Sequence, residues 1–407
     1  MTGGRATWTN WVGNESFAAE LATPRSEDEV VEHVLAAISA GRGIRAAGAG
    51  HSCTPVVQSD AVLDTTGLRG ITHVDAARSY VTALPGTTVG ELGEPLWAAG
   101  LALANQGDID TQAIAGAIAT GTHGSGNALP SFSATLRACR LVDGRGEVVE
   151  IDETQPERLR AAQVAIGMLG VMTSVTLEVV PAYRLAERVE HWRFADVLAR
   201  WDELFAAHRH FSFFWLPSEA SAELYGLATP AGSGMTDTCY VRVYDEAGDA
   251  LADDATPGRR VGRAYRIYPA EFEPNFHELE YSVPLERGRE AVEAMRELML
   301  TSQPAAVFPM EVRTNAAEDA YLASNYGTPT TVISVSGVPG TDHEPYLRAV
   351  DRLLGEFGAR VHWGKLHFLT PEQLAERYPE SGRFIDLRRE LDPAGTFLND
   401  HLRPLFA

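Results

Sequence analysis

Cysteine is scarce in this chain of 407 residues. Cys53, Cys139 and Cys239 are odd in number and lie far apart, so they predict neither a disulfide framework nor a zinc site. Such sparse use of cysteine is typical of a reducing compartment. His208 and His210 stand two apart, but no carboxylate or cysteine follows them at ligand spacing. We therefore expect that the protein holds no metal.

Basic residues are also few beside the acidic ones. The chain has 34 Lys and Arg against 55 Asp and Glu, which gives a formal net charge of −21. This surplus disfavours nucleic acid and anionic membranes as partners, because their phosphates would be repelled. No apolar run reaches membrane-spanning length, and residues 1–14 lack the pattern of a secretory signal. We expect a cytoplasmic protein that is a monomer or a small homo-oligomer.

The rest of the composition is that of an ordinary globular protein, with 45% hydrophobic and 22% charged residues. A chain of this length predicts two or three domains. A capping box at residues 26–29 precedes apolar residues at helical spacing, which predicts a helix that ends near Gly41. Short β-type runs follow at residues 61–64, 71–75 and 80–83. The pattern therefore predicts mixed helices and strands.

The first glycine-rich loop is Gly48-Ala49-Gly50-His51-Ser52, and it follows a β-type run at residues 44–46. Glycine lets backbone N–H groups face a ligand, so the loop predicts an anion cradle with an imidazole beside it. Pro55 argues against the helix that a dinucleotide-binding fingerprint requires directly after its glycines. An ordinary tight turn with a surface histidine is the alternative.

Two further stretches are rich in small residues. The first runs from Ala113 to Gly126 and ends in Gly-Thr-His-Gly-Ser-Gly. Small side chains let a backbone approach a large planar ligand, and hydroxyls can bond the ligand's polar edges. Tight helix packing followed by a loop is the alternative. The second stretch, residues 167–171, leads into a β-type run.

Charged side chains interrupt two apolar runs in the second half of the chain. Glu311 and Arg313 are two apart in the run at residues 306–314, so on a strand they share one face. In the β-type run at residues 360–365, Lys365 falls on the same side as the aromatic ring two positions before it. A surface ion pair and a snorkelling lysine are the ordinary interpretations. The apolar neighbours also allow a partly buried site.

Together these segments resemble the vanillyl-alcohol-oxidase-type (PCMH-type) FAD-linked oxidases, and within them the sugar-lactone and alditol oxidase branch. The motifs that carry the resemblance occur in the family's order: residues 45–52, Gly-Thr-His-Gly-Ser-Gly, Gly-x-x-Gly-Val, Glu-x-Arg and His-Trp-Gly-Lys. The chain end, residues 397–404, is also similar, so the resemblance covers nearly the whole chain.

The resemblance implies an FAD cofactor that is bonded covalently through His51. The implied cofactor contacts are Arg45, Gly48, Ala49, Gly50, His51, Ser52, Ala113, Gly116, Ile118, Gly121, Thr122, Gly124, Ser125, Gly126, Gly170, Val171, His362 and Lys365. The implied substrate contacts are Glu311, Arg313, Ser334, Ser336 and Lys365, of which Glu311, Arg313 and Lys365 would be catalytic.

The implied reaction removes a hydride from a carbinol C–H of a sugar-derived substrate to flavin N5, with oxygen or another carrier as acceptor. Ala113 stands where the alditol branch has serine, and Ser334 and Ser336 stand where it has histidine and threonine. Residues 107–110 are similar to the lactone oxidases instead. We therefore expect an aldono-1,4-lactone as substrate, with an alditol as the alternative. Glu311 either fixes neighbouring hydroxyls or acts as the base. A flavin- or sugar-binding protein without turnover is the rival from another class.

The implied fold is α+β. A two-part PCMH-type FAD-binding domain at residues 1–182 would be followed by a cap, or substrate, domain at residues 183–390 with an antiparallel sheet and helices. Residues 391–407 would return to the FAD-binding domain.

Overall fold

The computed structural model describes residues 5–229, 234–270, 275–303 and 306–407. The strands are β1 (Arg5–Thr9), β2 (Ser16–Ala22), β3 (Ile44–Ala47), β4 (Ala61–Asp64), β5 (Ile71–Asp75), β6 (Tyr80–Ala83), β7 (Leu101–Ala102), β8 (Leu136–Val142), β9 (Val148–Asp152), β10 (Val171–Glu178), β11 (Val180–Pro181), β12 (Arg184–Arg193), β13 (His210–Leu216), β14 (Thr238–Glu246), β15 (Val261–Arg263), β16 (His277–Pro284), β17 (Met310–Asn315), β18 (Thr330–Gly337) and β19 (Arg360–Val361).

The helices lie on and between the sheets that these strands form. They are α1 (Glu27–Ser39), α2 (Val89–Ala98), α3 (Ile114–Thr120), α4 (Pro156–Gln163), α5 (Phe194–Ala199), α6 (Trp201–Ala207), α7 (Ala220–Leu224), α8 (Ala264–Ile267), α9 (Leu285–Thr301), α10 (Glu344–Gly355), α11 (Pro371–Arg377), α12 (Ser381–Leu391) and α13 (Arg403–Phe406).

Two larger sheets build most of the amino-terminal part, and β7 pairs with β11 in a two-stranded sheet. The first has the order β1-β2-β4-β3, in which β1 and β2 are antiparallel while β2 and β3 both run parallel to β4. The second is antiparallel, with the order β5-β6-β10-β8-β9. Helix α1 joins them, because its Val30 and Val34 share one apolar cluster with Ile44 of β3 and Val171 of β10.

The carboxy-terminal part is dominated by an eight-stranded antiparallel sheet with the order β15-β12-β14-β13-β17-β18-β16-β19. Helices α9 and α10 pack on β18 and β16, and α9 buries Val292 and Met295 there. The opposite face turns toward the amino-terminal part. Strands β13 and β18 are buried along their whole length because both faces are covered.

The predicted α+β class, with two sheets in the amino-terminal part followed by an antiparallel sheet with helices, is confirmed. The runs predicted at residues 61–64, 71–75 and 80–83 are β4, β5 and β6. The chain end packs against the first sheet, where Phe397 joins the cluster around α1. The domain boundaries stay predictions, and residues 1–4 of the first predicted domain lie outside the described residues.

Two predictions about the charged runs are corrected. The strand expected over residues 306–314 is β17, which begins only at Met310. The β-type run expected over residues 360–365 ends at Val361, because the chain turns where Lys365 N donates to His362 O (3.0 Å). The turn sends Trp363 into the core and Lys365 to the opposite side, so the predicted shared face does not exist.

The capping box predicted at residues 26–29 forms only in part. Ser26 Oγ accepts from Glu29 N (3.2 Å), but the Glu29 carboxylate accepts from Arg25 N (2.7 Å) rather than from Ser26. Among the described helices, none combines the length and the apolar composition that crossing a bilayer requires.

Arg45 ties three parts of the chain together without touching a carboxylate. Its guanidinium donates to the backbone carbonyls of Val56 (2.7 Å), Ile166 (2.5 Å), Gly167 (3.0 Å) and Phe397 (2.7 Å). Burial lowers the pKa of Arg45 to about 10, so it stays charged. A buried acceptor that loses its donor costs free energy, so this one side chain stabilises the first sheet, the loop before β10 and the chain end at once.

We predict that Arg45→Met lowers the free energy of unfolding by about 3 kcal/mol or more, because four buried carbonyls lose their donor. Urea denaturation followed by circular dichroism measures this. Arg42→Met is the matched control, since Arg42 is half-exposed and pairs with Glu20 at the surface. Its cost should stay below about 1 kcal/mol. Equal losses for the two variants would contradict the assignment.

Candidate functional site

The larger cavity, of about 1110 Å³, lies between the first glycine-rich loop, helix α3, the loop before β10 and the turn at residues 362–365. It is lined by many of the residues that the sequence assigns to the cofactor: Arg45, Gly48, Ala49, Gly50, His51, Ser52, Ala113, Gly116, Thr122, Gly170, His362 and Lys365. Segments far apart in the sequence therefore meet here.

Six other residues assigned to the cofactor lie away from this cavity. Ile118 and Val171 are core residues, and Gly121 ends α3 with a φ of +80°. The remaining three, Gly124, Ser125 and Gly126, lie in the loop after α3 and contact the carboxy-terminal part. Gly126 N donates to Thr314 O (2.8 Å), and Ser125 Oγ lies 3.1 Å from the Tyr268 hydroxyl.

The larger cavity has the features of a site for a bulky, mostly apolar ligand with polar edges. A Cβ at Gly48 would lie 2.5 Å from Ala113 Cβ, so only glycine lets the loop approach α3 this closely. Two buried polar atoms on its wall, His51 Nδ1 and Gln112 Oε1, have no partner in the described part of the chain. Buried polar atoms are normally bonded, so these two suit the polar edge of a ligand that binds in this cavity.

The side chain of His51 is fixed on this wall by two contacts. Its ring stacks on Trp11 at 4.9 Å, and its Nε2 lies 3.2 Å from Thr111 Oγ1. Burial, followed by the charge of Lys365, lowers the pKa of His51 to about 4. The imidazole is therefore neutral at neutral pH. In the tautomer whose Nε2–H donates to Thr111 Oγ1, Nδ1 keeps a lone pair without a partner among the described residues.

A second cavity of about 700 Å³ adjoins the first. The two share four wall residues: Gln112, Thr122, His362 and Lys365. Its floor is the inner face of the large sheet, which carries Glu311 and Arg313 of β17. Its apolar wall is formed by Ile109, Phe214, Tyr225 and Phe276.

The three residues predicted to be catalytic meet in this second cavity, where Glu311 and Arg313 are buried and Lys365 is partly buried. Glu311 and Arg313 do share a strand face, with Arg313 Nη2 3.6 Å from Glu311 Oε2. Arg313 also donates to Glu280, and the Lys365 ammonium donates to Glu278. Lys365 is the single lysine among the 407 residues.

Ser334 and Ser336, assigned to the substrate, do not line either cavity. Ser334 lies on the same sheet face, opposite Glu311 on one side and Glu280 on the other. Its hydroxyl donates to Glu278, and its side chain is buried. It therefore reaches the cavity only through Glu278.

Several residues that line the second cavity were not predicted from the sequence. Asp108 lies in the loop after β7, Arg242 on β14, and Glu278 and Glu280 on β16. Glu278 and Glu280 stand two apart in a buried strand, which is the same signal that drew attention to Glu311 and Arg313. For Asp108 and Arg242 no comparable local signal exists.

The charges determine how the carboxylates titrate. Burial raises the pKa of Glu311 to about 7; Arg313 and Arg242 oppose this rise, while Asp108 and Glu278 add to it. Burial acts to lower the pKa of Lys365, but Glu278, Cys53 and Glu280 together outweigh that effect and the pKa is raised. Near neutral pH, Lys365 is therefore an ammonium and Glu311 is able to take up a proton.

His123, Glu280 and His362 bring three ligand-type atoms within 4.8 Å of one another. His123 Nε2 lies 3.1 Å from Glu280 Oε1, while His123 Nδ1 lies 2.9 Å from the carbonyl of Gly124. Arg313 holds the other oxygen of Glu280. The carboxylate is thus already neutralised by protein donors, and the expectation that no metal binds stays a prediction.

Comparison with known proteins agrees with this geometry. The D-arabinono-1,4-lactone oxidase family matches residues 175–231 and 235–405, and an FAD binding domain matches residues 18–152. The L-gulono-1,4-lactone dehydrogenase of Mycobacterium tuberculosis is 34% identical over 97% of this chain and 98% of its own. The alditol oxidase of a Streptomyces species is 30% identical over 98% of both chains.

Among solved structures, cholesterol oxidase from Brevibacterium sterolicum superposes with a TM-score of 0.85 over 99% of this chain and 97% of its own, at 15% identity. At that identity the likeness concerns the fold alone. The relatives found by sequence support more than the fold, because their alignments include the residues that line both cavities. The chain therefore belongs to the D-arabinono-1,4-lactone oxidase family, in the sugar-lactone and alditol oxidase branch of the PCMH-type FAD-linked oxidases.

Proposed function

We propose that this protein is an FAD-dependent oxidoreductase that oxidises a carbinol C–H of an aldono-1,4-lactone. The observation that carries the proposal is the meeting of the two cavities. A cavity with a free imidazole nitrogen shares the edge formed by Thr122, His362 and Lys365 with a second cavity that holds Glu311 and Arg313. Family membership supports the same reaction.

The larger cavity holds the FAD in this proposal. Its glycine-rich loop, α3 and the loop before β10 enclose the cofactor, and Gln112 Oε1 faces it as an unpaired acceptor. When bound, FAD supplies the oxidising power by accepting a hydride from the substrate. We further propose that His51 anchors it covalently, which the free lone pair on Nδ1 supports.

The charged residues of the second cavity then have separate roles. Arg313 and Lys365 stabilise negative charge on the oxygen of the reacting carbinol, because cations are most effective where water is excluded. Glu311 takes the hydroxyl proton, since a base with a pKa near neutrality is suited to that transfer. Phe214, Tyr225 and Phe276 provide apolar faces for the carbon skeleton.

Oxidation of a lactone is favoured over that of an alditol. Ala113 offers no hydroxyl in the place where the alditol branch has serine, and Ser334 and Ser336 replace its histidine and threonine. The alditol oxidase relative keeps the alditol reaction as the second candidate. Oxygen as electron acceptor belongs to the same proposal and is supported by the names of the oxidase relatives.

We predict that His51→Ala abolishes acid-stable colour. The wild-type protein, precipitated with acid, should keep the yellow flavin in the pellet, whereas the variant should release all of it. His73→Ala is the control, because His73 is exposed on β5. Free flavin in the wild-type supernatant would refute the covalent anchor without touching the assignment of FAD.

A second test uses the space that α3 leaves for the cofactor. Apart from the neighbouring backbone of α3, no atom of the described residues lies within 4 Å of a Cβ built on Gly116, which lines the larger cavity. Gly116→Leu should therefore fold but bind markedly less FAD, as read from the flavin-to-protein absorbance ratio. Gly382→Leu, at a similarly open position on α12, should keep full FAD content. Unchanged FAD in Gly116→Leu would place the cofactor elsewhere.

The reaction itself is tested by anaerobic mixing with L-gulono-1,4-lactone, in which the oxidised-flavin absorbance should disappear. Lys365→Met should slow this reduction about 100-fold at unchanged FAD content, because the buried ammonium is lost. Because Lys365 is the single lysine, reductive methylation should modify one side chain, and the lactone should protect it. An unchanged rate in Lys365→Met would remove this residue from the mechanism.

A further inference from the structure

The loop that follows β7 contributes one carboxylate, Asp108, to the inner face of the large sheet. Its two oxygens accept from two different arginines: Oδ1 from Arg242 Nη1 (3.0 Å) and Oδ2 from Arg313 Nη1 (3.0 Å). A single side chain of the FAD-binding part thus holds two guanidinium groups that stand on separate strands, β14 and β17.

Arg242 continues the chain of contacts to the proposed base. Its Nη2 donates to Glu311 Oε1 (2.7 Å), its Nε donates to Ser212 Oγ (3.3 Å), and its guanidinium lies 4.8 Å over the ring of Phe214. The side chain is only 10% exposed. Arg242 is therefore fixed in place, and it holds one oxygen of Glu311 toward β14.

We propose that Asp108 and Arg242 are positioning residues for substrate: Asp108 presets Arg313 and Arg242, and Arg242 orients Glu311. This inference rests on the proposed function of Glu311 and Arg313 and deepens it. The site is complete only when the loop after β7 is seated on the sheet. The FAD-binding part and the sheet thus assemble the substrate cavity jointly.

Asp108, Arg242 and Arg313 form a brace, in which the carboxylate bridges the two guanidinium groups, and this brace accounts for the arrangement of charges in the cavity. Two adjacent arginines repel each other, and the bridging carboxylate offsets that repulsion. Arg313 is bound at its other end by Glu280, so its guanidinium has two fixed ends. A guanidinium preset in this way binds substrate oxygens without losing further side-chain entropy.

The brace also has a consequence for pH dependence. The titratable and charged groups that line the cavity with Glu311 are Arg313 on its own strand, Arg242 on β14, Asp108 in the loop after β7, Glu278 and Glu280 on β16, His123 in the loop after α3, Tyr225 beyond α7, and His362 and Lys365 in the turn after β19. Asp108 helps to raise the pKa of Glu311, whereas Arg242 helps to lower it. Removing one or the other therefore moves the titration of Glu311 in opposite directions.

The experiment compares Asp108→Asn and Arg242→Met with wild-type holoenzyme. L-gulono-1,4-lactone is bound to the anaerobically photoreduced protein, in which no turnover follows, and its Kd is measured by calorimetry. Both variants should raise the Kd about tenfold, because the preset guanidinium is lost. Asp110→Asn in the same loop and Arg188→Met on β12 remove the same charges outside the cavity and should leave the Kd unchanged.

The second measurement is the pH profile of flavin reduction in stopped flow. The acid limb should move down by about one pH unit in Asp108→Asn and up by about one unit in Arg242→Met. Arg242→Lys, which keeps the charge, should leave the limb near its wild-type position while the Kd still rises. If Asp108 and Arg242 had only a structural role, both substitutions would slow flavin reduction without moving the acid limb in opposite directions. That result would overturn the inference.

Glu311→Gln separates this inference from the proposed function. If the acid limb survives in Glu311→Gln, Glu311 is not the base and the proposed function of that residue fails. If Glu311→Gln abolishes the limb but Asp108→Asn and Arg242→Met leave it unmoved, the brace alone is refuted. Should Arg242→Met fail to fold, Arg242→Lys and Asp108→Asn still decide the outcome.

Discussion

The substrate cavity depends on a set of ion pairs that are largely withdrawn from water. Arg313, at 8% side-chain exposure, is shared among Asp108, Glu280 and Glu311. Charges withdrawn from water are tolerated only when each has a partner, so removing any one member leaves another uncompensated. The geometry of the cavity is therefore collective. Because these charges depend on one another, Asp108 of the amino-terminal part can position Arg242 and Arg313 on the large sheet.

The cofactor side follows a different principle. There the wall is built from small residues and backbone, and close approach decides the shape. Gly48 packs against Ala113 at a distance that excludes any side chain, while Arg45 pins the surrounding loops through backbone carbonyls. A rigid backbone cradle with one free imidazole nitrogen stands next to the charged cavity. Lys365 belongs to both walls and joins the two halves of the chemistry.

The sequence was sufficient for features that are local. Short strands between turn residues fell where their runs predicted, and Glu311 with Arg313 shared a face because alternation on a strand is a property of the backbone. The prediction of a strand was wrong at residues 362–365, where the chain turns between His362 and Lys365. A run of β-type residues does not reveal a turn that is closed by a backbone hydrogen bond.

The cavity residues that were not predicted acquire their role only through contacts between distant parts of the chain. Asp108 and Arg242 are separated by 134 positions. The likeness of residues 107–110 to the lactone oxidases gave Asp108 no role, and Arg242 has no local pattern that marks it. One signal was nevertheless available for Glu278 and Glu280, because they repeat the two-residue spacing inside a buried strand.

The most direct measurement is the crystal structure of the holoenzyme, reduced anaerobically and soaked with L-gulono-1,4-lactone. The account predicts electron density for the lactone in the second cavity, within hydrogen-bond distance of Glu311, Arg313 and Lys365, with the flavin in the larger cavity behind it. Density for the lactone outside that cavity, or a flavin that does not reach the shared edge at His362 and Lys365, would contradict it.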